Sequence, residues 1–182
     1  MRLLPLWPGM LGAPRCRGTC GHGRGGHGQG MGRYFDDFRL NESLTTPTRT
    51  ITEADVGLFA GLTGDHNELH TSVTYAAEQS PFGVRVVHGL LGLGVCNGLL
   101  ARAGLYEGTA LALLALEDWR FCAPVLLGDT VRAVFTPCEL RPSRSRPGAG
   151  VVRARVALSK QDGTVVQEGT LTFLVRQRAG SE

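Results

Sequence analysis

Between Leu58 and Gly89 the chain reads LFAGLTGDHNELHTSVTYAAEQSPFGVRVVHG and holds three of the protein's five histidines. Asp65 lies five residues before His70. A carboxylate and an imidazole held close together are the usual equipment for taking a proton from water and giving it back. His88-Gly89 then opens an unusually apolar, helix-like run. Uncapped N–H groups at a helix start make a ready site for a developing negative charge. An acid/base pair followed by such a helix start is a coherent constellation for chemistry on a carbonyl compound.

These residues need particular elements to hold them. Gly64 reads as a helix stop, because glycine adopts φ > 0 without strain. Upstream of it, EADVGLFAGLTG reads as a helix, with Thr52 as N-cap and Asp55 as its partner three residues on. Ala54, Leu58 and Leu62 repeat every four residues, and Val56, Phe59 and Ala60 broaden the expected buried face. Asp65, Asn67 and His70 are expected on an irregular segment, where polar side chains can converge. A short helix through TYAAEQ starts at Ser72 or Thr74 and is closed by Pro81. From 89 to 103, GLLGLGVCNGLLARA is apolar on nearly every side, the mark of a helix in the middle of a protein. Its glycines Gly92, Gly94 and Gly98 each cost about 1 kcal/mol of helix propensity against alanine, so other backbone is expected to pack close against them.

The rest reads as strands: 110–122, 130–141, 151–160 and 164–177. Val152, Ala154, Val156 and Leu158 alternate with Arg153, Arg155 and Ala157, the period-2 pattern of a half-buried strand. Asp162-Gly163 between two runs signals a hairpin. Long strands after an N-terminal helical block predict an α+β domain with a mostly antiparallel sheet. A second Gly-Asp pair, Gly128-Asp129, has no histidine after it and reads as a turn.

GDHNELH, then Ala76, then VHG resembles the signature of the MaoC-like, R-specific enoyl-CoA hydratases. That signature is an aromatic residue, Gly-Asp-x-Asn-Pro-φ-His with φ apolar, then a small residue some six positions on. Phe59, Asp65, Asn67, His70 and Ala76 supply its parts, and Glu68 stands where the family has proline. The resemblance spans roughly residues 33–177. It implies the hot-dog fold, a curved, mostly antiparallel sheet wrapped around a central helix, here about 89–103. It also implies a catalytic dyad of Asp65 and His70 and an oxyanion hole at the Gly89 N–H. Asn67 would then fix the loop or orient the water, with His66 facing solvent and His88 shaping the turn into the helix. The implied reaction is hydration of a trans-2-enoyl-CoA and, in reverse, dehydration of a (3R)-3-hydroxyacyl-CoA. No metal and no nucleotide cofactor is expected, coenzyme A entering only as part of the substrate. Arg141, Arg144 and Arg146, in RPSRSRPGAG, are candidates for its phosphates, or else a solvated hairpin tip. Two other classes stay open: a hot-dog thioesterase, disfavoured because helix 89–103 has no acid, and a non-catalytic acyl-thioester-binding module.

Composition sets the outer limits. The 182 residues are 42% hydrophobic, enough for one domain with a full core. Net charge is +3, yet residues 1–30 carry four arginines and no acid, leaving 15 basic and 16 acidic residues from 31 onward. A near-neutral domain gives no electrostatic footprint for nucleic acid, and no apolar run reaches the ~20 residues that span a bilayer. Residues 1–30 hold nine of 26 glycines and read as a disordered segment, with 31–178 as the domain. The segment is compatible with a transit peptide, with a metal site at Cys16, Cys20, His22 and His27, or with translation starting at Met31, the reading we favour. Cys96, Cys122 and Cys138 read as small buried hydrophobes in a reducing compartment, without disulfides. The expected compartment is the cytoplasm, or the mitochondrion if residues 1–30 are a transit peptide. A homodimer is expected, because LALLAL is difficult to leave in water.

Overall fold

The computed structural model describes residues 32–179. The readings of Cys16, Cys20, His22, His27 and Met31 lie outside them. Four long strands carry the domain: β3 (Ala110–Phe121), β4 (Thr130–Pro142), β5 (Ala149–Lys160) and β6 (Val165–Arg176). They form an antiparallel sheet in the order β1-β4-β5-β6-β3, where β1 is Leu44–Thr45, and β2 (Arg49–Thr50) also pairs with β4. The strand assignments from sequence hold to within about two residues at each end. At the β5–β6 hairpin, Gly163 has φ of 87° and the Asp162 carboxylate accepts from the Thr164 N–H at 2.9 Å.

One face of the sheet is apolar because the strands alternate. Val131, Ala133 and Phe135 of β4, Val152, Ala154, Val156 and Leu158 of β5, and Leu171, Phe173 and Val175 of β6 are all buried. They share one core with Val95, Cys96, Leu99 and Leu100 of α4 (Gly89–Arg102), the expected central helix. Burying a leucine as fully as Leu99 or Leu100 stabilises the fold by about 1.5–3 kcal/mol. Phe38, Phe135 and Phe173 close one end, with ring centroids about 6 Å apart.

Three expectations are corrected. In α1 (Glu53–Thr63) the buried residues are Val56 and Ala60, whereas Leu58 and Leu62 are 74% and 85% exposed. Helix α4 is not enclosed all round, since Leu90, Gly94, Asn97 and Gly98 are exposed. A Cβ at Gly94 or Gly98 would meet nothing, so within one chain only Gly92 answers to close packing. Cys96 alone of the three described cysteines is fully buried; Cys122 and Cys138 are half-buried, and all three are free.

The remaining edge strand, β3, stays wet on much of its length: Leu113, Leu114 and Leu116 are 57%, 51% and 43% exposed. Beside it runs a groove of about 270 Å³ lined by Asn97, Tyr106, Leu111, Leu113 and Phe173. Among the described residues no helix is long and apolar enough to cross a membrane.

Candidate active site

The first wall of the site is set by helix caps. Thr52 and Asp55 form the expected capping box at the start of α1. At its end Gly64 adopts φ of 76° and its N–H closes on the Ala60 carbonyl. The chain then turns sharply, and the Asp65 carboxylate accepts from the Asn67 N–H at 3.3 Å. The Asn67 side chain in turn accepts from the Leu69 N–H at 2.9 Å, capping a single turn, α2 (Glu68–Thr71). His70 therefore sits on a helical turn rather than on irregular chain, a correction that follows from Asn67 being a strong N-cap. Glu68 occupies the first helical position of α2. Proline is favoured there, and so is an acid facing the positive helix end. The second expected helix is α3 (Val73–Glu78), with Ser72 as its N-cap.

The structure brings Asp65, His70 and His88 together, with ligand-type atoms all within 4.8 Å of one another. The Nδ1 of His70 lies 2.8 Å from the Val86 carbonyl oxygen. A carbonyl only accepts, so Nδ1 carries a proton, and in the neutral ring the lone pair is the one on Nε2. His88 is 2% exposed and its Nε2 donates to the Asp65 carbonyl at 2.9 Å. Its ring stacks on His70 at 3.8 Å between centroids and packs against Phe59 at 4.9 Å. His88 is thus a buried post that holds the Asp65 peptide and the His70 ring, a role the sequence reading missed. The Asp65 side chain is half exposed and can meet a ligand. By residue type these three could also hold a metal ion, although each histidine already commits one nitrogen to a backbone carbonyl.

Immediately after His88 comes the N-terminus of α4. No side chain caps it, because the His88 side chain is turned away to Asp65. The first N–H groups, beginning at Gly89, are left for another acceptor. The Phe121 ring lies against Gly89, at the place where a Cβ would come within 2.8 Å of it, and forms one wall. His66 is exposed, as expected.

Arg141, Arg144 and Arg146 are not brought to this place within one chain. Gly89 is bonded to Gln167 of β6, whereas Arg141 pairs with Val151, which pairs with Leu174. Seven residues along a strand is roughly 23 Å. All three arginines are exposed at the β4–β5 tip, where Arg141 approaches Glu139 at 3.4 Å. Gly128-Asp129 is a turn, as expected: Gly128 has φ of 91°, and the buried Asp129 carboxylate takes hydrogen bonds from Leu126 N–H and Gln161.

Known proteins resemble this chain in sequence and in fold. The MaoC like domain model matches residues 37–159. The (R)-specific enoyl-CoA hydratase of Rhodospirillum rubrum is 34% identical over 145 residues, 80% of this chain and 93% of that protein. Protein MaoC of Klebsiella aerogenes is 42% identical over 104 residues, 57% of this chain, although the chain spans only 30% of that protein's length. Among solved structures, the R-hydratase PhaJ1 of Pseudomonas aeruginosa superposes with a TM-score of 0.67 at 26% identity, covering 80% of this chain and 86% of that one. A Mycobacterium tuberculosis protein described as a double hot-dog fold superposes at 0.71 with 19% identity, covering 83% of this chain and 46% of that one, which bears on the fold alone. The chain is a member of the MaoC-like family of hot-dog hydratases and dehydratases.

Proposed function

We propose that this protein adds water to trans-2-enoyl-CoA to give the (3R)-3-hydroxyacyl-CoA, and runs the reverse dehydration. The observation that carries the reading is the juxtaposition of Asp65 and the Nε2 face of His70 with the uncapped start of α4. The thioester carbonyl oxygen is bound by the N–H at Gly89, where the helix dipole favours negative charge. Asp65 and His70 hold one water between them. As its oxygen bonds to C3, the water proton passes to the dyad and the C2–C3 π electrons move toward the carbonyl. The resulting enolate is stabilised at the helix start, where each well-aimed donor is worth about 3–4 kcal/mol. The dyad returns a proton to C2, so water is added in full and no electron changes hands. Asn67 fixes the loop that presents Asp65.

The proposed working form is a C₂ homodimer. The wet leucines of β3, the groove beside them and the open stripe of α4 lie next to one another and support it. A second copy adding its β3 to this edge would cover all three.

Purified protein with crotonyl-CoA tests the reaction through loss of the conjugated thioester absorbance and the stereochemistry of the 3-hydroxybutyryl product. Asp65→Asn and His70→Ala are expected to slow hydration about 10²–10⁴-fold with an unchanged circular dichroism spectrum. Turnover close to wild type in either variant rejects the mechanism.

A further inference from the structure

Gln167 is a buried amide on the apolar face of β6, only 2% exposed. Burying such a group is costly unless it finds partners, and both of its polar atoms do. Its Nε2 donates to the Gly89 carbonyl at 2.9 Å, and its Oε1 accepts from the Trp119 indole N–H at 3.2 Å. Three local irregularities make this chain of bonds fit. A Cβ on Gly92 would collide with the Gln167 amide, so only glycine leaves it room. In β3, Glu117 pairs with Thr170 but the next paired residue is Arg120, opposite Glu168. The extra residue is taken up at Asp118, whose φ of 51° is unusual for a side-chain-bearing residue. Bulges of this kind re-aim a neighbouring side chain. Here Trp119 lies across Gly169, where a Cβ would come within 2.5 Å of the ring.

We infer that Trp119 and Gln167 are positioning residues that aim the oxyanion-binding N–H groups at the start of α4. The inference rests on the proposed function, because it concerns the helix start that binds the thioester oxygen there. The carbonyl of Gly89 and the N–H of Leu90 belong to one planar peptide and point in opposite directions. Holding that carbonyl from β6 therefore fixes the direction of the Leu90 N–H, the second donor of the helix start, and restrains the Gly89 Cα from which the Gly89 N–H projects. Gly89 is the most freely rotating residue of the turn, so this peptide is where an untethered helix start would wander. A hydrogen bond to the carbonyl also polarises the same peptide and makes its N–H a better donor. Among the described residues neither Gln167 nor Trp119 is hydrogen-bonded to Asp65 or His70.

Gln167→Met keeps the side-chain shape and removes both bonds. Gly92→Ala displaces the amide from the opposite side, and Trp119→Phe removes only its anchor. With crotonyl-CoA, Gln167→Met and Gly92→Ala are expected to lower kcat roughly tenfold to a hundredfold, the scale of a small misplacement at the reacting centre. KM should stay within about twofold and the pH–rate profile should keep its shape; Trp119→Phe should fall between these variants and wild type. The discriminating signal is spectroscopic. A bound dienoyl thioester absorbs at longer wavelength when its carbonyl is hydrogen-bonded, and that red shift should shrink in all three variants. Full kcat and an undiminished red shift in Gln167→Met, or in Gly92→Ala if the former does not fold, would overturn the inference while leaving the hydratase reading intact. Wild-type protein without hydration of crotonyl-CoA removes that reading and this one with it.

Discussion

Replacing His88 by leucine separates the work of positioning from the work of folding. The side chains are close in volume, so the site stays filled. Two contacts are lost and one unpartnered buried atom is removed, while the packing against Phe59 becomes an aliphatic one. The bond from Nε2 to the Asp65 carbonyl is lost, worth about 0.5–1.5 kcal/mol. The ring stack on His70 is lost, worth about 0.5–1.5 kcal/mol for a ring pair. Against these, His88 Nδ1 is a buried atom with no partner, and removing such an atom returns about 1–3 kcal/mol. The stability terms nearly cancel, and Tm should move by no more than about 3 °C in a domain of this size. The kinetic terms do not cancel, because the lost contacts hold Asp65 and His70, the proposed dyad. Together they are worth about 1–3 kcal/mol, which corresponds to a roughly 5- to 160-fold fall in kcat/KM. His88→Gln can still place an amide N–H near the Asp65 carbonyl and should recover part of that loss. Thermal melts and crotonyl-CoA hydration are measured on the same samples. Wild-type kcat/KM in His88→Leu refutes the positioning role, and a fall in Tm above about 10 °C refutes the cancellation.

Glu68→Pro should stabilise the protein by about 0.4–1 kcal/mol, read as a small rise in Tm: Asn67 has φ −53° and ψ 135°, the extended geometry that a following proline demands. Burial pushes the Asp129 carboxyl up, but hydrogen bonds from Leu126 N–H, Gln161 and Lys160 outweigh it and hold the group below its ordinary value. Its folded-state pKa is depressed, so its contribution is present above the unfolded value of about 3.9 and is lost as pH falls through the folded value. Asp129→Asn should therefore melt lower than wild type at pH 7, by about 1–3 kcal/mol, and the gap should close as the pH falls below about 4. Leu113→Asp places a charge on the open face of β3 and should give a monomer by sedimentation at micromolar concentration; an unchanged dimer rejects β3 as the interface.

What could be read from sequence was whatever local chemistry decides. Thr52 with Asp55, Gly64 and Asp162-Gly163 each act over two to four residues, and all stand where they were expected. The alternation in β5 is equally local, since one register puts Val152 to Leu158 inward. In α1 the sequence offered two apolar rows, and periodicity alone could not rank them: packing chose Val56 and Ala60 and left Leu58 and Leu62 outside. The motif fixed the spacing of Asp65 and His70, but not that a buried His88, 23 residues from Asp65 in the chain, holds that loop. The pull of Gln167 on Gly89 spans 78 residues, and no local pattern announces it. Where the tip with Arg141, Arg144 and Arg146 lies relative to Gly89 is likewise set by strand register rather than by composition.

The strand order has a consequence for how the chain comes together in time. β6 is the last strand in the sequence, yet it lies between β5 and β3. Until it exists, β3 has no place in the sheet, and the β4–β5 hairpin grows without it. Such non-local closure slows folding relative to helical proteins of similar size. On the ribosome, where the N-terminal part emerges first, the wet leucines of β3 must wait through roughly 55 to 60 further residues for their neighbour. That same late strand delivers Gln167 to α4. The apolar run is thus exposed longest at the stage when the chain is least able to bury it, and the final strand to arrive gives β3 its backbone neighbour and sets Gln167 against α4.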